Sequence, residues 1–181
     1  MEILGILKSN IKLDDFELIN YLNLSTTEKE MVRTWRNLED VRKWMYNDHI
    51  ISKEEHSTFL DKLHIDCSNF YWLVRHIENG YLGVLSINKV DLKNKHAYFG
   101  TYANPESKIL GKGYLLDKLA IKLAFNEINL HSLKLEVIEK NKGVIFLHKK
   151  VGFEIEGKLK EYVLKKGQWE NVVVMGILNR K

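Results

Sequence analysis

One cysteine, Cys67, and one proline, Pro105, occur in the 181 residues. A single thiol excludes a disulfide within the chain and any metal site built on several cysteines. With one proline and no stretch rich in Gly or Ser, there is no linker at which the chain would divide. Residues 1–181 are therefore expected to form a single domain. No apolar run approaches the roughly 18 residues of a helical membrane span. The apolar stretch from Met1 to Lys8 has neither the charged flank nor the cleavage site of a secretion signal. The expectation is a cytoplasmic protein with no membrane partner and no metal. Runs of five or six like charges are also absent. The balance of 28 Lys+Arg against 24 Asp+Glu gives a net charge of +4. That excess is too small and too scattered for a nucleic-acid partner, but it suits an anionic small ligand.

What is present is ordinary globular material. Apolar residues make up 45% of the chain, aromatics 10% and charged residues 29%, enough to bury a core and to exclude disorder. Residues 11–22 read as a strand and a turn. Thr27 with Glu30 has the spacing of a capping box and opens a helix that carries Met31, Val32 and Trp35 inward and ends near Asn37. A short helix is expected over residues 39–46. Ser52 with Glu55 opens a third, whose apolar face is Phe59, Leu60 and Leu63. Strands at 70–76 and 81–90 flank the hairpin signal Asn79-Gly80, and a third strand covers 96–102. A long helix over 113–126 buries Leu115, Leu116, Leu119, Ala120, Leu123 and Ala124. Then come a strand at 132–138, a helix at 142–150 stopped by Gly152, and a closing hairpin at about 153–178 turned at Lys166-Gly167. The order predicts an α/β (α+β) fold of about seven strands with helices on both faces.

Two segments carry chemistry. Gly111 and Gly113 bracket Lys112 where strand and loop give way to the long helix. A helix N-terminus presents unbonded N–H groups and the positive end of the dipole, and glycine lets backbone approach an anion closely. Together these make a pyrophosphate cradle. Taken alone, the pattern reads equally well as an ordinary helix start. The second segment is Asn141, Val144, Ile145, Leu147, His148, Lys150, Gly152 and Phe153. Helix packing accounts for its apolar stripe, but not for Asn141 and the whole set in register with an upstream glycine turn.

The pair resembles the acetyl-CoA motifs of the GNAT superfamily of N-acetyltransferases. Lys108-Ile109-Leu110-Gly111-Lys112-Gly113 fits the pattern Gln/Arg-x-x-Gly-x-Gly/Ala with Lys in place of Gln/Arg. Asn141 to Phe153 fits Asn-x-x-Ala-x-x-x-Tyr-x-Lys-x-Gly-Phe with Val144 for Ala and His148 for Tyr. The resemblance implies a central mixed, mostly antiparallel sheet, with an acceptor-side half at about 1–95 and an acetyl-CoA-binding half at about 96–157. It also implies acetyl-CoA as cosubstrate. The amides of Leu110, Gly111, Lys112, Gly113 and Tyr114 would hold its pyrophosphate, and the strand Gly100-Thr101-Tyr102 would pair with its pantetheine. Asn141 would bond the pantetheine or carbonyl region, with Lys150 near the phosphates. The family's proton-donating Tyr is replaced by His148, which can also donate near neutrality.

The acceptor side clusters cations with aromatics. Arg36 can contact phosphate bidentately, and Trp44 and Tyr46 offer stacking faces. Composition alone favours the plainer reading, a packed core with a surface arginine. Arg36-Asn37, Trp44-Met45-Tyr46, Ile50, His56, Phe59, Tyr81-Leu82-Gly83-Val84, Lys89, His96, Gly100, Tyr102 and Leu130-His131-Ser132-Leu133 together resemble the nucleotide-sugar N-acetyltransferases of pseudaminic acid biosynthesis, a pathway serving flagellin glycosylation. That resemblance implies a UDP-amino-sugar partner, with Arg36, His56, Asn88, Lys89 and Tyr102 on the nucleotide and Met45 and Tyr46 at the sugar. Transfer would be direct, in a ternary complex. Glu136 and Glu139 lie near the reacting groups in sequence, but strand alternation does not decide which of them faces inward. The rival expectations are a ribosomal-protein-type N-terminal acetyltransferase and a non-catalytic acyl-CoA module. Oligomeric state, a homodimer included, is left open.

Overall fold

The computed structural model of the chain describes residues 2–180. A short helix, α1 (Glu2–Leu7), precedes the hairpin β1 (Ile11–Leu13) and β2 (Phe16–Asn20). Helices α2 (Thr26–Asn37), α3 (Glu39–Arg42) and α4 (Lys53–Leu63) follow, then strands β3 (Phe70–His76), β4 (Gly80–Asp91) and β5 (His96–Ala103). Helix α5 (Lys112–Lys122) runs into a π turn at Leu123–Glu127. It is succeeded by β6 (Ser132–Ile138), α6 (Lys142–Lys150), β7 (Glu154–Lys165) and β8 (Gln168–Leu178). All eight strands belong to one sheet of order β1-β2-β3-β4-β5-β6-β8-β7. Its neighbours are antiparallel except for the parallel pair β5–β6.

The sheet has eight strands rather than about seven because residues 11–22 are not one strand. Asp14 takes φ 52°, a left-handed turn conformation that Asp tolerates better than most residues. The chain reverses there, pairing Leu13 with Phe16. The N-terminal apolar run, read as no particular element, is α1; its Leu7 is fully buried. Helix α2 starts two residues earlier than expected. The capping box is Ser25 with Glu28: Ser25 accepts from the Glu28 amide, and the Glu28 carboxylate accepts from the Ser25 amide. Thr27 and Glu30 carry the same spacing but lie inside the helix, where Glu30 pairs with Arg33. Helix α3 stops at Arg42, so Trp44 to Asn47 form a loop and not helix. At the β3–β4 hairpin only Gly80 has positive φ, and the amides of Glu78 and Asn79 donate to His76 Nδ1 instead. The closing turn is as expected, with Lys166 and Gly167 both at positive φ, the twist that suits a hairpin.

Strand alternation sorts the core into two layers. Trp72 and Val74 face a cluster with Leu85, Ile87, Phe99, Leu116 and Leu123, covered by α1, α5 and α6. Leu73 faces the other way, into a cluster with Val32, Trp35, Leu60 and Leu63 of α2 and α4. The pairing that positions the site is β5–β6. It holds for three residue pairs, from His96↔Ser132 to Tyr98↔Lys134. Beyond it β5 continues paired only to β4, and β6 only to β8, so the two strands diverge.

Candidate active site

The divergence opens the sheet. A cleft of about 730 Å³ runs through it, walled by Phe99 to Ala103 of β5 on one side and Leu135 to Ile138 of β6 on the other. Along Gly100 to Ala103, β5 has β4 on one edge and the cleft on the other. Its edge backbone groups there are available to an extended ligand, the geometry by which one strand recruits another.

On the α1/α5/α6 side the cleft meets Gly113, Leu116 and Asp117 of α5 and Asn141, Val144, Leu147 and His148 at α6. The two glycines of the turn have different reasons. Gly111, the N-cap of α5, has φ 69° with open space around it; the backbone conformation is what favours glycine there. Gly113 has ordinary φ, but a Cβ on it would lie 2.7 Å from Leu147 Cδ2, so it lets α5 approach α6. Lys112 is occupied: its ammonium donates to the carbonyls of Asn104 and Ser107 at 2.8 and 2.9 Å and so ties down the loop before the helix. Leu110 and Tyr114 are exposed. Asn141 Oδ1 accepts from the Val144 amide and caps α6. Lys150 lies over the Phe146 ring at 4.7 Å, outside the cleft wall.

His148 is buried in that wall, 6% exposed. Its Nδ1 is 2.7 Å from Oδ2 of Asp117, a fully buried carboxylate. Phe99 and Phe153 stand edge-on to the imidazole with centroids 5.8 and 5.9 Å away. Asp117 was not among the expected site residues. Its only signal in the sequence is an acid set within the apolar stripe from Leu115 to Ala120 of α5.

On the opposite side the cleft meets α2, the 43–51 loop and α4. Side chains of α2 hold that loop. Arg36 Nη2 donates to Asn47 O at 2.7 Å, Asn37 exchanges two bonds with Ile51, and Arg33 donates to Ile51 O at 2.9 Å. Arg36 lines the cleft, and no carboxylate pairs with it among the described residues. Its Nη1 is sealed from solvent and has no acceptor. Burial, first of all, lowers its pKa from the usual arginine value, and nearby Arg42 adds to this. His56 is buried and stacked on Phe59; burial and then the charge of Arg33 hold its pKa below the ordinary imidazole value. Met45 lines the cleft, and its carbonyl accepts from Lys165.

Of the two acids, Glu136 lines the cleft and Glu139 does not. The Tyr46 hydroxyl donates to it at 2.6 Å, and the Lys89 ammonium stands 3.5 Å away over the Tyr98 ring. Burial and then this bond push the Tyr46 phenol pKa up. Glu139 instead pairs with Lys158 and Asn171. Tyr102 lines the cleft and donates to Val32 O, while Tyr21 bonds its hydroxyl at 3.4 Å; burial pushes its phenol pKa up to about 12. Gly100, Thr101, Tyr102, Gly113, Asn141, His148, Arg36, Met45 and His56 are thus brought together in one cleft. Tyr46 and Lys89 reach it through Glu136. Asn88 stands outside its wall, bonded to Ser86, as do Leu110, Gly111, Lys112, Tyr114 and Lys150.

The comparisons with known proteins agree with this geometry. The model of the acetyltransferase (GNAT) domain matches residues 23–174. Acetyltransferase PseH of Campylobacter jejuni (serotype O:23/36, strain 81-176) is 34% identical over 146 residues, covering 81% of this chain and 89% of that protein. The crystal structure of Campylobacter jejuni PseH in complex with acetyl coenzyme A superposes with a TM-score of 0.67 at 27% identity, covering 91% and 99% of the two chains. The fold is also that of spermidine N-acetyltransferase from Vibrio cholerae, solved with CoA and spermine, with a TM-score of 0.82 at 21% identity over 92% and 96%. A sheet that opens between β5 and β6, a glycine turn at the start of α5 and a matching domain across most of the chain lead to one conclusion: the chain belongs to the GNAT acetyltransferase family and is an N-acetyltransferase.

Proposed function

We propose that the chain transfers the acetyl group of acetyl-CoA to the 4-amino group of a UDP-linked amino-dideoxy sugar, UDP-4-amino-4,6-dideoxy-N-acetyl-β-L-altrosamine, in pseudaminic acid biosynthesis in the cytoplasm. Arg36 carries this reading: it is a cation on the acceptor side of the cleft with no carboxylate partner among the described residues. A cation on a ligand cleft without an ionic partner favours an anionic ligand, and a diphosphate supplies the opposite charge. His56 beside Phe59, and Trp44 on the cleft wall, give a uracil or sugar flat surfaces to rest on.

Acetyl-CoA fits the other side. Its pyrophosphate suits the first amides of α5, opened by Gly111, and its pantetheine suits the edge of β5 from Gly100 to Tyr102. In the reaction the neutral sugar amine attacks the thioester carbonyl, and β5 amides near Tyr102 polarise the oxygen. Glu136, a carboxylate of the cleft wall beside β5, takes the proton from nitrogen. Collapse breaks the C–S bond, and His148 gives a proton to sulfur. One proton leaves nitrogen and one reaches sulfur, so the transfer balances without a covalent enzyme intermediate.

The likeness to a spermidine acetyltransferase raises a polyamine as the other acceptor. A polyamine needs unpaired acids, and the acids on this wall have partners. Asp40 pairs with Lys43, Glu55 bonds His49, Glu136 bonds Tyr46 and Lys89, and Asp117 bonds His148. The cation left over is Arg36. Acetyl-CoA turnover against a panel of UDP- and dTDP-amino-sugars, spermidine and an N-terminal peptide tests the proposal. Turnover is expected with the UDP-amino-sugar, with competition by UDP. Turnover with spermidine or peptide and no protection by UDP would sink it.

A further inference from the structure

We propose that Asp117 is a positioning residue for proton delivery at this centre. It holds the His148 ring through Nδ1, so that Nε2 is the nitrogen that protonates the departing thiolate. The inference rests on His148 as proton donor, and its test separates the two.

Asp117 is hard to explain as a structural residue. It sits on the buried face of α5 between Leu116 and Leu119, fully buried, where leucine would pack. One oxygen, Oδ1, is sealed and has no partner. A buried carboxylate with an unmet oxygen costs stability. Its one hydrogen bond goes across to α6, to a ring nitrogen of another cleft-wall residue, at 2.7 Å. Phe99 and Phe153 bracket that ring edge-on, which restricts its rotation. Nδ1 is therefore committed to Asp117, while Nε2 has no hydrogen bond among the described residues. A carboxylate can only accept, so Nδ1 must carry a hydrogen in every state that keeps this bond. The transferable proton is then confined to Nε2.

The step follows. The donor is therefore the imidazolium, with hydrogen on both nitrogens: as the C–S bond breaks, its electron pair goes to sulfur, sulfur takes the Nε2 proton, and the ring is left neutral with its hydrogen on Nδ1. The Nδ1 hydrogen stays between the ring and Asp117, which is not protonated itself. Water restores the Nε2 proton, and the proton that Glu136 removed from nitrogen passes to water. The arrangement substitutes a carboxylate-held imidazole for the family's phenol.

The test combines a double-mutant cycle with ¹⁵N-histidine NMR on the full chain. Asp117→Leu removes the acceptor while matching the apolar face. We expect its kcat to fall ~10–10²-fold, less than the ~10²–10⁴-fold of a general acid because the imidazole itself remains, with KM for acetyl-CoA within about twofold and a thermal midpoint no lower than wild type. The neutral ring should shift from the Nδ1–H form to one with hydrogen on Nε2. In a His148→Gln background Asp117→Leu should cost nothing further. Equal losses in both backgrounds would make Asp117 merely structural and overturn the inference. So would unchanged kcat and tautomer in Asp117→Leu while His148→Gln is slow; the donor reading would then stand alone. Full turnover in His148→Gln removes the donor reading and this inference with it. If Asp117→Leu does not fold, Asp117→Asn carries the same comparisons.

Discussion

Replacing Arg36 with methionine separates what the residue does for the fold from what it does for the acceptor. In the free protein its guanidinium makes one bond, Nη2 to Asn47 O at 2.7 Å, and leaves Nη1 sealed without an acceptor. Losing the bond costs about 1.5–3 kcal/mol for a charged donor, while removing an orphaned donor returns about 1–3 kcal/mol. The two nearly cancel, so the thermal midpoint should move by only a few degrees. The bound state has no such compensation. Losing one charge-assisted bond to a diphosphate at about 1.5–3 kcal/mol predicts an acceptor-side Kd weakened about 10- to 150-fold. Arg36→Lys should rescue only part of this, because an ammonium cannot present two parallel donors. Isothermal titration with UDP and, separately, with acetyl-CoA reads the difference, and scanning calorimetry reads the fold. UDP affinity should fall and acetyl-CoA affinity should not. An unchanged UDP affinity, or equal losses for both ligands, would refute the assignment of Arg36 to the acceptor's phosphates.

His148→Phe should lower kcat by about 10²-fold or more, the usual contribution of a general acid, with acetyl-CoA affinity retained; an unchanged pH–rate profile would remove it from the mechanism. Glu136→Gln should lower kcat by a similar ~10²-fold, since the amide keeps the Tyr46 bond but cannot take a proton, and wild-type turnover at neutral pH would point to water as the base. Gly111→Ala meets open space, so its cost is the left-handed backbone alone, about 1–2 kcal/mol; a thermal midpoint unchanged within a degree would contradict the φ of 69°. His56 is held below its ordinary pKa, first by burial, so the unfolded chain takes its proton at higher pH than the folded one. Its contribution to stability is present above about pH 6.5 and is lost as pH falls through the window below; His56→Gln should flatten the acid-side decline in thermal midpoint, and an unaltered slope would show that His56 does not cause it.

Several elements could be read from local pattern. The bounds of β6 and α6 follow from alternation and helical spacing with a glycine stop. The Lys166-Gly167 turn follows from backbone chemistry. The resemblance that named the family rests on residues a few positions apart within one turn or one helix. Where the same local signal occurs twice, it misleads: Ser25 and Thr27 both begin a capping spacing, and only one can cap. A reversal at Asp14 without Gly or Pro leaves no punctuation to read.

The site itself lies between elements. The parallel pairing of β5 with β6 stops after three pairs while each strand stays bound to its other neighbour, and nothing within either segment encodes that. Asp117 and His148 are 31 residues apart and meet because α5 and α6 pack closely at Gly113. Glu136 lies within β6 on the cleft wall, while Glu139 lies just past the strand's end and pairs elsewhere. Arg36 is a phosphate candidate because of what does not stand beside it, and a missing partner has no sequence signal. The amino-acid sequence by itself determined most of the elements from β3 onward and the glycine-turn and Asn141–Phe153 motifs, since these depend on neighbours along the chain. The tertiary structure decided the opening, the held imidazole, the cleft-wall carboxylate and the unpaired arginine, since these depend on contacts that exist only once distant segments have packed.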